Sequence, residues 1–256
     1  MTCPICRGGE SASAVVYDAR PEGETDFGIE DYRREYRRCA TCGHLFAVMD
    51  IDVDYGGDYM DATYADDMAA TYERIMALPP ERSDNVQRVA RIAAALEPAT
   101  VLDVGSGLGV FPARMKEAGW TVTALDPDPR AAAFTRDHIG VAAVAADFFA
   151  AEDLGRFALV TFNKVLEHVA DPIAMLARTH EYLDAGGSVY VELPDGEAAQ
   201  DDPDGFGREE FFIEHLHVFS FSSMSVLADR AGFRARRVER VREPSGKYTL
   251  WALLTA

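Results

Sequence analysis

Residues 100–110 read TVLDVGSGLGV, a short apolar run that opens into glycines at alternate positions, Gly105, Gly107 and Gly109. A strand that ends in such a loop can turn sharply into a helix, because glycine enters left-handed backbone conformations without a Cβ penalty. The following helix, expected from Val110 to about Ala118, aims its first N–H groups at whatever lies against the loop. The unit commits the chain to an α/β fold with a nucleotide-type site. A dinucleotide fingerprint needs its third glycine one residue later, where Val110 stands, which argues against a nicotinamide oxidoreductase.

The rest of the chain follows the order of a doubly wound sheet. Residues 81–97 carry Val86, Val89, Ile92, Ala93 and Leu96 at helical spacing, and Pro98 stops them. Further strands are expected at Thr121 to Leu125, Val141 to Ala145, Phe157 to Phe162 and Ser188 to Leu193. The first of these ends in Asp126, an acid about 20 residues past the loop and suited to accept from two ribose hydroxyls. The next ends in Asp147-Phe148, and the third runs into Asn163-Lys164-Val165-Leu166-Glu167-His168. Asp171 and Pro172 form an N-cap and first turn for a helix to about Leu183. After an acidic loop from Pro194 to Phe212, Ser222 is the expected N-cap of a helix closed by Gly232, with Met224, Leu227, Ala228 and Ala231 on one face. Strands Arg234 to Val241 and Lys247 to Leu254 complete the sheet as an antiparallel edge hairpin.

The four cysteines form two pairs, Cys3-Pro-Ile-Cys6 and Cys39-Ala-Thr-Cys42. Two such knuckles close a tetrahedral Zn²⁺ site with no open position, so the metal is structural and contributes on the order of 10 kcal/mol to a module poor in apolar residues. Disulfides would require an oxidising compartment, and a redox pair would require a surrounding βαβ unit, which neither pair has. Alternation at Ala14 to Tyr17 and Tyr32 to Tyr36 predicts a hairpin between the knuckles. The organisation expected is a zinc-binding module at 1–50, a tyrosine-rich linker or lid at 51–80 and an α/β domain at 81–256.

A formal net charge of −18 repels phosphate polyanions and anionic lipid, so neither nucleic acid nor membrane is an expected partner. The arginines at 33, 34, 37 and 38 sit among acidic neighbours and read as a solvated face. No apolar run reaches membrane-spanning length and the N-terminus has no signal-peptide pattern, which predicts a cytoplasmic protein.

VLDVGSGLG, ALDPDP, AADFF, FNKVLEHVADP and GGSVYVELP, in this order and spacing, resemble a class I S-adenosylmethionine-dependent methyltransferase from about Glu81 to Ala256. The resemblance implies a Rossmann-like seven-stranded sheet beside a small zinc-ribbon-like module. It implies that Gly105, Gly107 and Gly109 pass under the methionine part and ribose, with Asp103 near the amino group and Asp126 on the ribose hydroxyls. It further implies that Asp147 and the Phe148 backbone read the adenine edge, and that Asn163 and Lys164 lie close to the sulfonium. Against these roles, Asp103 alone could stabilise the loop, Phe148 could be core, and His168 reads more readily as a buried hydrogen-bonding residue of its turn.

The segment FFIEHLHVFSF, residues 211–221, falls after strand five, on the side of the sheet where ligands bind. A hydroxyl or carbon acid must lose a proton to accept a methyl group, and histidine titrates near neutrality, so His215 is the candidate base, with Glu214 or His217 as helper. Two competing roles for His215 are a hydrogen bond tying the loop to strand five near Glu192, and a metal shared with His217 and a carboxylate. The paired cysteines, the tyrosine-rich linker and the Glu-His pair are similar to the front end of sugar C-methyltransferases that act on deoxysugar nucleotides. In those enzymes the Glu-His pair and a tyrosine of the entry region are implicated in base chemistry. Tyr59 and Tyr64 are the tyrosines expected to reach substrate, among Tyr55, Tyr59, Tyr64 and Tyr72. Such enzymes carry a further C-terminal domain, whereas residue 256 directly follows the last expected strand, so a small-molecule O- or N-methyltransferase stays open beside the sugar enzyme. A zinc-module RNA methyltransferase, which predicts a basic face, and a non-catalytic docking protein are the rival readings.

Overall fold

A computed structural model of the chain describes residues 1–49 and 67–256. Near the N-terminus, β1 (Ser11–Tyr17), β2 (Arg34–Cys39) and β3 (Leu45–Met49) form antiparallel pairs, so the hairpin expected between the knuckles is present. Of the tyrosine-rich linker, Tyr55, Tyr59 and Tyr64 lie outside the described residues. The helix α1 (Met68–Met76) follows, with the Asp67 side chain accepting from Ala70 N. Its Tyr72 is buried edge-on to Phe134, in an apolar cluster with Leu108, Val110 and Ala113, so this tyrosine packs the linker helix against the α/β domain.

Helix α2 (Asp84–Ala93) starts at Ser83, whose hydroxyl accepts from Val86 N. Then come β4 (Thr100–Val104), α3 (Val110–Glu117), β5 (Thr121–Asp126), α4 (Pro129–Phe134), β6 (Ala142–Ala145), β7 (Phe157–Asn163), α5 (Pro172–Arg178) and β8 (Leu183–Pro194). After β8 stand α6 (Gly196–Gln200), β9 (His217–Val218), α7 (Phe221–Arg230), β10 (Arg234–Arg242) and β11 (Tyr248–Thr255). Among the described residues one sheet has seven strands in the order β10, β11, β8, β7, β4, β5, β6, with β11 antiparallel to both neighbours and the rest parallel. The chain winds outward from β4 first toward β6 and then, from β7, the other way. The carboxyl end of β4 is therefore the topological switch point, where doubly wound sheets bind ligands.

Both faces of the sheet are covered. Ile92 of α2 with Phe111 and Met115 of α3 pack against Val101, Val122 and Leu159 on one side. Leu176 of α5 and Met224, Leu227 and Ala228 of α7 pack against Leu102, Val160 and Val189 on the other. Strands buried on both faces need continuous apolar runs, which is what β4, β7 and β8 provide.

Two local expectations need correction. The cap of α7 is Ser220, not Ser222: Ser220 Oγ accepts from Ser223 N and Ser223 Oγ accepts from Ser220 N, both at 2.9 Å, a reciprocal capping box with serine in the place of the usual Glu. The stretch expected as a plain acidic loop contains α6, because the Asp195 side chain accepts from Glu197 N and Ala198 N and so starts a turn of helix. A larger feature escaped the sequence reading altogether. Strand β9, directly after Glu214 and His215, pairs with β3, Leu45 opposite Val218 and Phe46 opposite His217, so the back half of the chain supplies the fourth strand of the N-terminal sheet.

Candidate active site

The glycine loop stands at the switch point as expected. Gly105, Gly107 and Gly109 have φ of 72°, 50° and 70°, values that side chains rarely adopt. A Cβ on Gly105 would lie 2.6 Å from Val165 Cγ2, so the loop also packs too closely for any other residue. Gly105 N and Ser106 N donate to Leu125 O, and Gly107 N donates to Asp126 Oδ2 at 2.7 Å. Asp128 N donates to Asp126 Oδ1 at 3.0 Å. The Asp126 carboxylate thus closes the loop onto β5, and burial raises its pKa.

Asp103 is buried on β4, where its Oδ1 accepts from Thr161 Oγ1 at 2.6 Å and Asn163 Nδ2 at 2.9 Å; burial pushes its carboxyl up to about 7. Asn163 Oδ1 and Ser106 Oγ are buried with no hydrogen-bond partner among the described residues. A carboxylate and two orphaned oxygens beside a left-handed loop fit a ligand that brings several N–H or O–H donors, such as an aminoacyl group and a ribose. Asp147 Oδ1 accepts from Phe149 N at 2.6 Å, ordering the turn after β6. The Phe148 ring is core, edge-on to Phe162 at 5.7 Å, while its neighbour Phe149 is exposed. Lys164 has a left-handed backbone, φ 61°, and its Nζ donates to Thr249 Oγ1 on β11 at 2.8 Å. Its ammonium acts on Glu167, His168 and His215.

The turn after β7 and the segment before β9 meet. His168 Nδ1 lies 2.7 Å from Glu214 O and His215 Nδ1 lies 2.9 Å from Glu210 O. A carbonyl only accepts, so each Nδ1 carries the proton and each Nε2 carries the lone pair. The two rings stand 4.9 Å apart, and one ligand-type atom from each of Glu167, His168 and His215 lies within 4.8 Å of the others. Both Glu167 carboxylate oxygens are fully buried with no hydrogen-bond partner among the described residues. Burial pushes the Glu167 carboxyl up to about 7 and holds His168 down to about 4. Burial and the neighbouring His168 also hold His215 well below the usual imidazole range. Near neutral pH the cluster therefore sets a carboxyl that exchanges a proton readily beside two imidazoles that stay neutral.

His215 is not tied to Glu192, which instead pairs with Arg88 and Arg91, each at 2.6 Å. Nor does His217 join His215. It turns to His44, with His44 Nε2 and His217 Nδ1 3.1 Å apart. Burial pushes the Glu214 carboxyl up to about 7. Sequence reasoning passed over Glu167 as a site residue and read His168 as a turn residue. The signal available was the repeated dipeptide, Glu167-His168 and Glu214-His215, on two loops at the same sheet end.

The four cysteines form a second cluster, their sulfurs within 4.8 Å of one another, with Cys3 to Cys42 at 3.8 Å and Cys6 to Cys39 at 3.4 Å. A tetrahedron with metal–sulfur bonds of about 2.3 Å has edges of about 3.8 Å, so the spacing fits zinc. Gly8 N and Thr41 N donate to the sulfurs of Cys6 and Cys39, as backbone groups do around a thiolate-bound metal. The residue after each second cysteine, Arg7 at φ 60° and Gly43 at φ 71°, is left-handed, so the two knuckles share one turn geometry.

Among the described residues no helix is long and apolar enough to cross a membrane. Comparison with known proteins agrees with the geometry. The family model described as "Methyltransferase domain" matches residues 72–238. A ubiquinone biosynthesis O-methyltransferase of Xanthomonas campestris pv. campestris (strain B100) is 38% identical over 122 residues, 45% of this chain and 49% of the relative. One from Aromatoleum aromaticum is 30% identical over 131 residues, 48% of this chain and 54% of the relative. The chain thus spans about half the length of the curated relatives it matches. Among solved structures, the Burkholderia thailandensis 1,6-didemethyltoxoflavin-N1-methyltransferase with bound 1,6-didemethyltoxoflavin and S-adenosylhomocysteine aligns at TM-score 0.56 and 24% identity, over 83% of this chain and 95% of that one. The magnesium protoporphyrin IX methyltransferase from Synechocystis PCC 6803 with bound S-adenosylhomocysteine aligns at TM-score 0.57 and 16% identity, over 77% and 96%. With the family model covering more than half of its length and the seven-stranded sheet in place, this chain belongs to the methyltransferase domain family.

Proposed function

We propose that the chain methylates an oxygen or carbon atom of a small polar metabolite, a sugar, nucleotide sugar or natural-product intermediate, with His215 as general base. The observation that carries this reading is the contact of Glu167, His168 and His215 at the binding end of the sheet, with the His215 lone pair fixed on Nε2 by the Glu210 carbonyl. An amine acceptor with a free lone pair needs no such base, whereas a hydroxyl or carbon acid does. The comparisons include both O- and N-methyltransferases, and the base cluster favours the former chemistry here.

In this reading S-adenosylmethionine, when bound, supplies the electrophilic methyl carbon. Asp103 and Asn163 hold its amino group, Asp126 its ribose hydroxyls, and Asp147 with the Phe148 backbone its adenine edge. Lys164 stays on Thr249 and sets the field of the base cluster. His215 Nε2 removes the acceptor proton, and the carboxylate of Glu167 stabilises the imidazolium that results. The ammonium of Lys164 already faces these three groups, which favours a proton network over a metal at this position. Tyr59 and Tyr64 are assigned to the acceptor side as part of a lid. The cysteines hold one structural zinc, and the acidic chain works on small molecules rather than nucleic acid, in the cytoplasm.

The test uses zinc-replete protein, calorimetric titration with S-adenosylhomocysteine and a methyl-transfer assay on a panel of deoxysugar nucleotides and phenolic acceptors. His215→Ala should bind S-adenosylhomocysteine normally and lose about 10²–10⁴-fold in turnover. Equal loss of binding and turnover overturns the base assignment, and methyl transfer to RNA alone overturns the acceptor class.

A further inference from the structure

The loop that carries His215 is held from three directions. On the side of the large sheet, Tyr248 N of β11 donates to Glu210 Oε1 at 2.6 Å and Arg208 Nε donates to Glu210 Oε2 at 3.0 Å. A second set comes from the Glu167-His168 turn, where Glu167 O accepts from Leu216 N and His217 N and His168 Nδ1 donates to Glu214 O, and a third set comes from the N-terminal module. Ile213 N donates to Glu24 Oε1 at 2.7 Å, and the same oxygen accepts from Arg34 Nη2 at 2.6 Å. Tyr36 Oη donates to His215 O, with Phe212 O at 3.3 Å beside it. Tyr32 Oη donates to Glu24 Oε2 and accepts from Arg34 Nε at 2.5 Å, and the Arg34 guanidinium lies 3.9 Å over the Tyr17 ring. Two residues on, β9 is paired to β3.

A module that served only as an appendage would meet this loop through side chains at its surface. Instead it commits a fully buried ion pair, Arg34 with Glu24, to a single backbone N–H one residue before Glu214. A buried pair is a poor device for stability alone, since apolar residues of equal volume do as well, but it fixes geometry through directional bonds. Here it fixes the backbone between Glu210 and His215, and so the distance over which the His215 ring reaches back to the Glu210 carbonyl. Glu24 and Arg34 also face the Glu214 carboxyl.

We infer that Glu24, Arg34 and Tyr36 of the zinc-bearing module are positioning residues for the methyl-acceptor side of the site, clamping the 212–215 backbone so that His215 Nδ1 stays on the Glu210 carbonyl and its Nε2 faces the acceptor. The inference rests on the proposed base role of His215, and it assigns the module a part in the site rather than in stability only. Tyr36→Phe removes one hydroxyl from the clamp. Glu24→Gln keeps an oxygen for Ile213 N–H, whereas Glu24→Leu keeps none.

The experiment is nitrogen-15 histidine NMR of the zinc-loaded protein, with the His215 ring assigned through a His215→Gln variant, and with zinc content and S-adenosylhomocysteine affinity measured alongside. Wild type should show His215 as a single Nδ1–H tautomer. Tyr36→Phe and Glu24→Leu should lose that signature toward the Nε2–H form, with Glu24→Gln in between, while zinc content and S-adenosylhomocysteine affinity stay at wild-type values. Retention of the wild-type His215 signature in both Tyr36→Phe and Glu24→Leu overturns the clamp. Turnover is read separately: if His215→Ala turns over at the wild-type rate, the base role fails while the tautomer result still decides the clamp.

Discussion

Replacing Asp126 by alanine separates cofactor recognition from folding. Each carboxylate oxygen has about two lone-pair sites. In this chain one site on Oδ2 is taken by Gly107 N at 2.7 Å and one on Oδ1 by Asp128 N at 3.0 Å. One site per oxygen remains, which matches the two hydroxyls of a ribose. A hydrogen bond to a charged group contributes about 1.5–3 kcal/mol, so losing two costs about 3–6 kcal/mol of binding. At tenfold for every 1.4 kcal/mol, S-adenosylhomocysteine should bind roughly 10²–10⁴-fold more weakly. Stability should change much less, because the lost loop bonds are offset by relief of a carboxylate that is only 6% exposed. Isothermal calorimetry with S-adenosylhomocysteine, beside a thermal melt followed by circular dichroism, reads both quantities. Asp126→Asn, which keeps one acceptor oxygen, should fall between. A folded Asp126→Ala protein that binds within about threefold of wild type would refute the reasoning, and would leave Asp126 with the single task of closing the loop.

Removal of zinc with a strong chelator should abolish methyl transfer while S-adenosylhomocysteine affinity stays within about threefold, because the glycine loop is held by Leu125 O and the Asp126 carboxylate rather than by the N-terminal module; parallel loss of affinity would contradict it. Asp103 predicts a pH dependence whose sign follows from its burial. Its carboxyl is pushed up to about 7 and must be ionised to hold an amino group, so affinity should be full above that pH and fall by up to about tenfold per unit below it, a slope that Asp103→Asn should abolish. Gly109→Ala sets a Cβ at 2.5 Å from Ile139 Cδ1 and 2.6 Å from Thr135 Oγ1 at a φ of 70°. It should destabilise the protein by about 1–3 kcal/mol in urea titration.

The parallel core of the sheet was legible because its rules are local. Thr100 to Val104 is a strand on its own apolar run, the glycines announce their turn, and Asp126 falls where the next strand must end. The paired cysteines were legible for the same reason: each knuckle is a four-residue unit, and the structure brings the four sulfurs within 4.8 Å of one another. Helix caps were less so. Three serines near the start of α7 offer similar side chains, and only the reciprocal bonds of Ser220 with Ser223 decide among them.

What the sequence hid is contact between loops far apart along the chain. His168 and Glu214 lie 46 positions apart in the chain yet meet at 2.7 Å, and no periodicity links their two dipeptides. The pairing of β3 with β9 is hidden for a related reason. Two residues of strand, His217 and Val218, carry too little alternation to declare a partner, and the partner lies across the whole α/β domain in sequence. Yet the same two residues explain why the cysteine-bearing module belongs on this fold. A long loop after β8 can reach the binding end of the sheet, but it cannot hold an imidazole in one orientation by itself, since its backbone groups have no ladder to join. The N-terminal sheet supplies that ladder through β3, and its buried Arg34 and Glu24 supply the remaining acceptor. The zinc proposed at the four cysteines would make the supplying sheet rigid without asking it for a large apolar core. In the proposed reading the metal, the β3–β9 pairing and the tautomer of His215 form one chain of cause, with the methyl acceptor at its end.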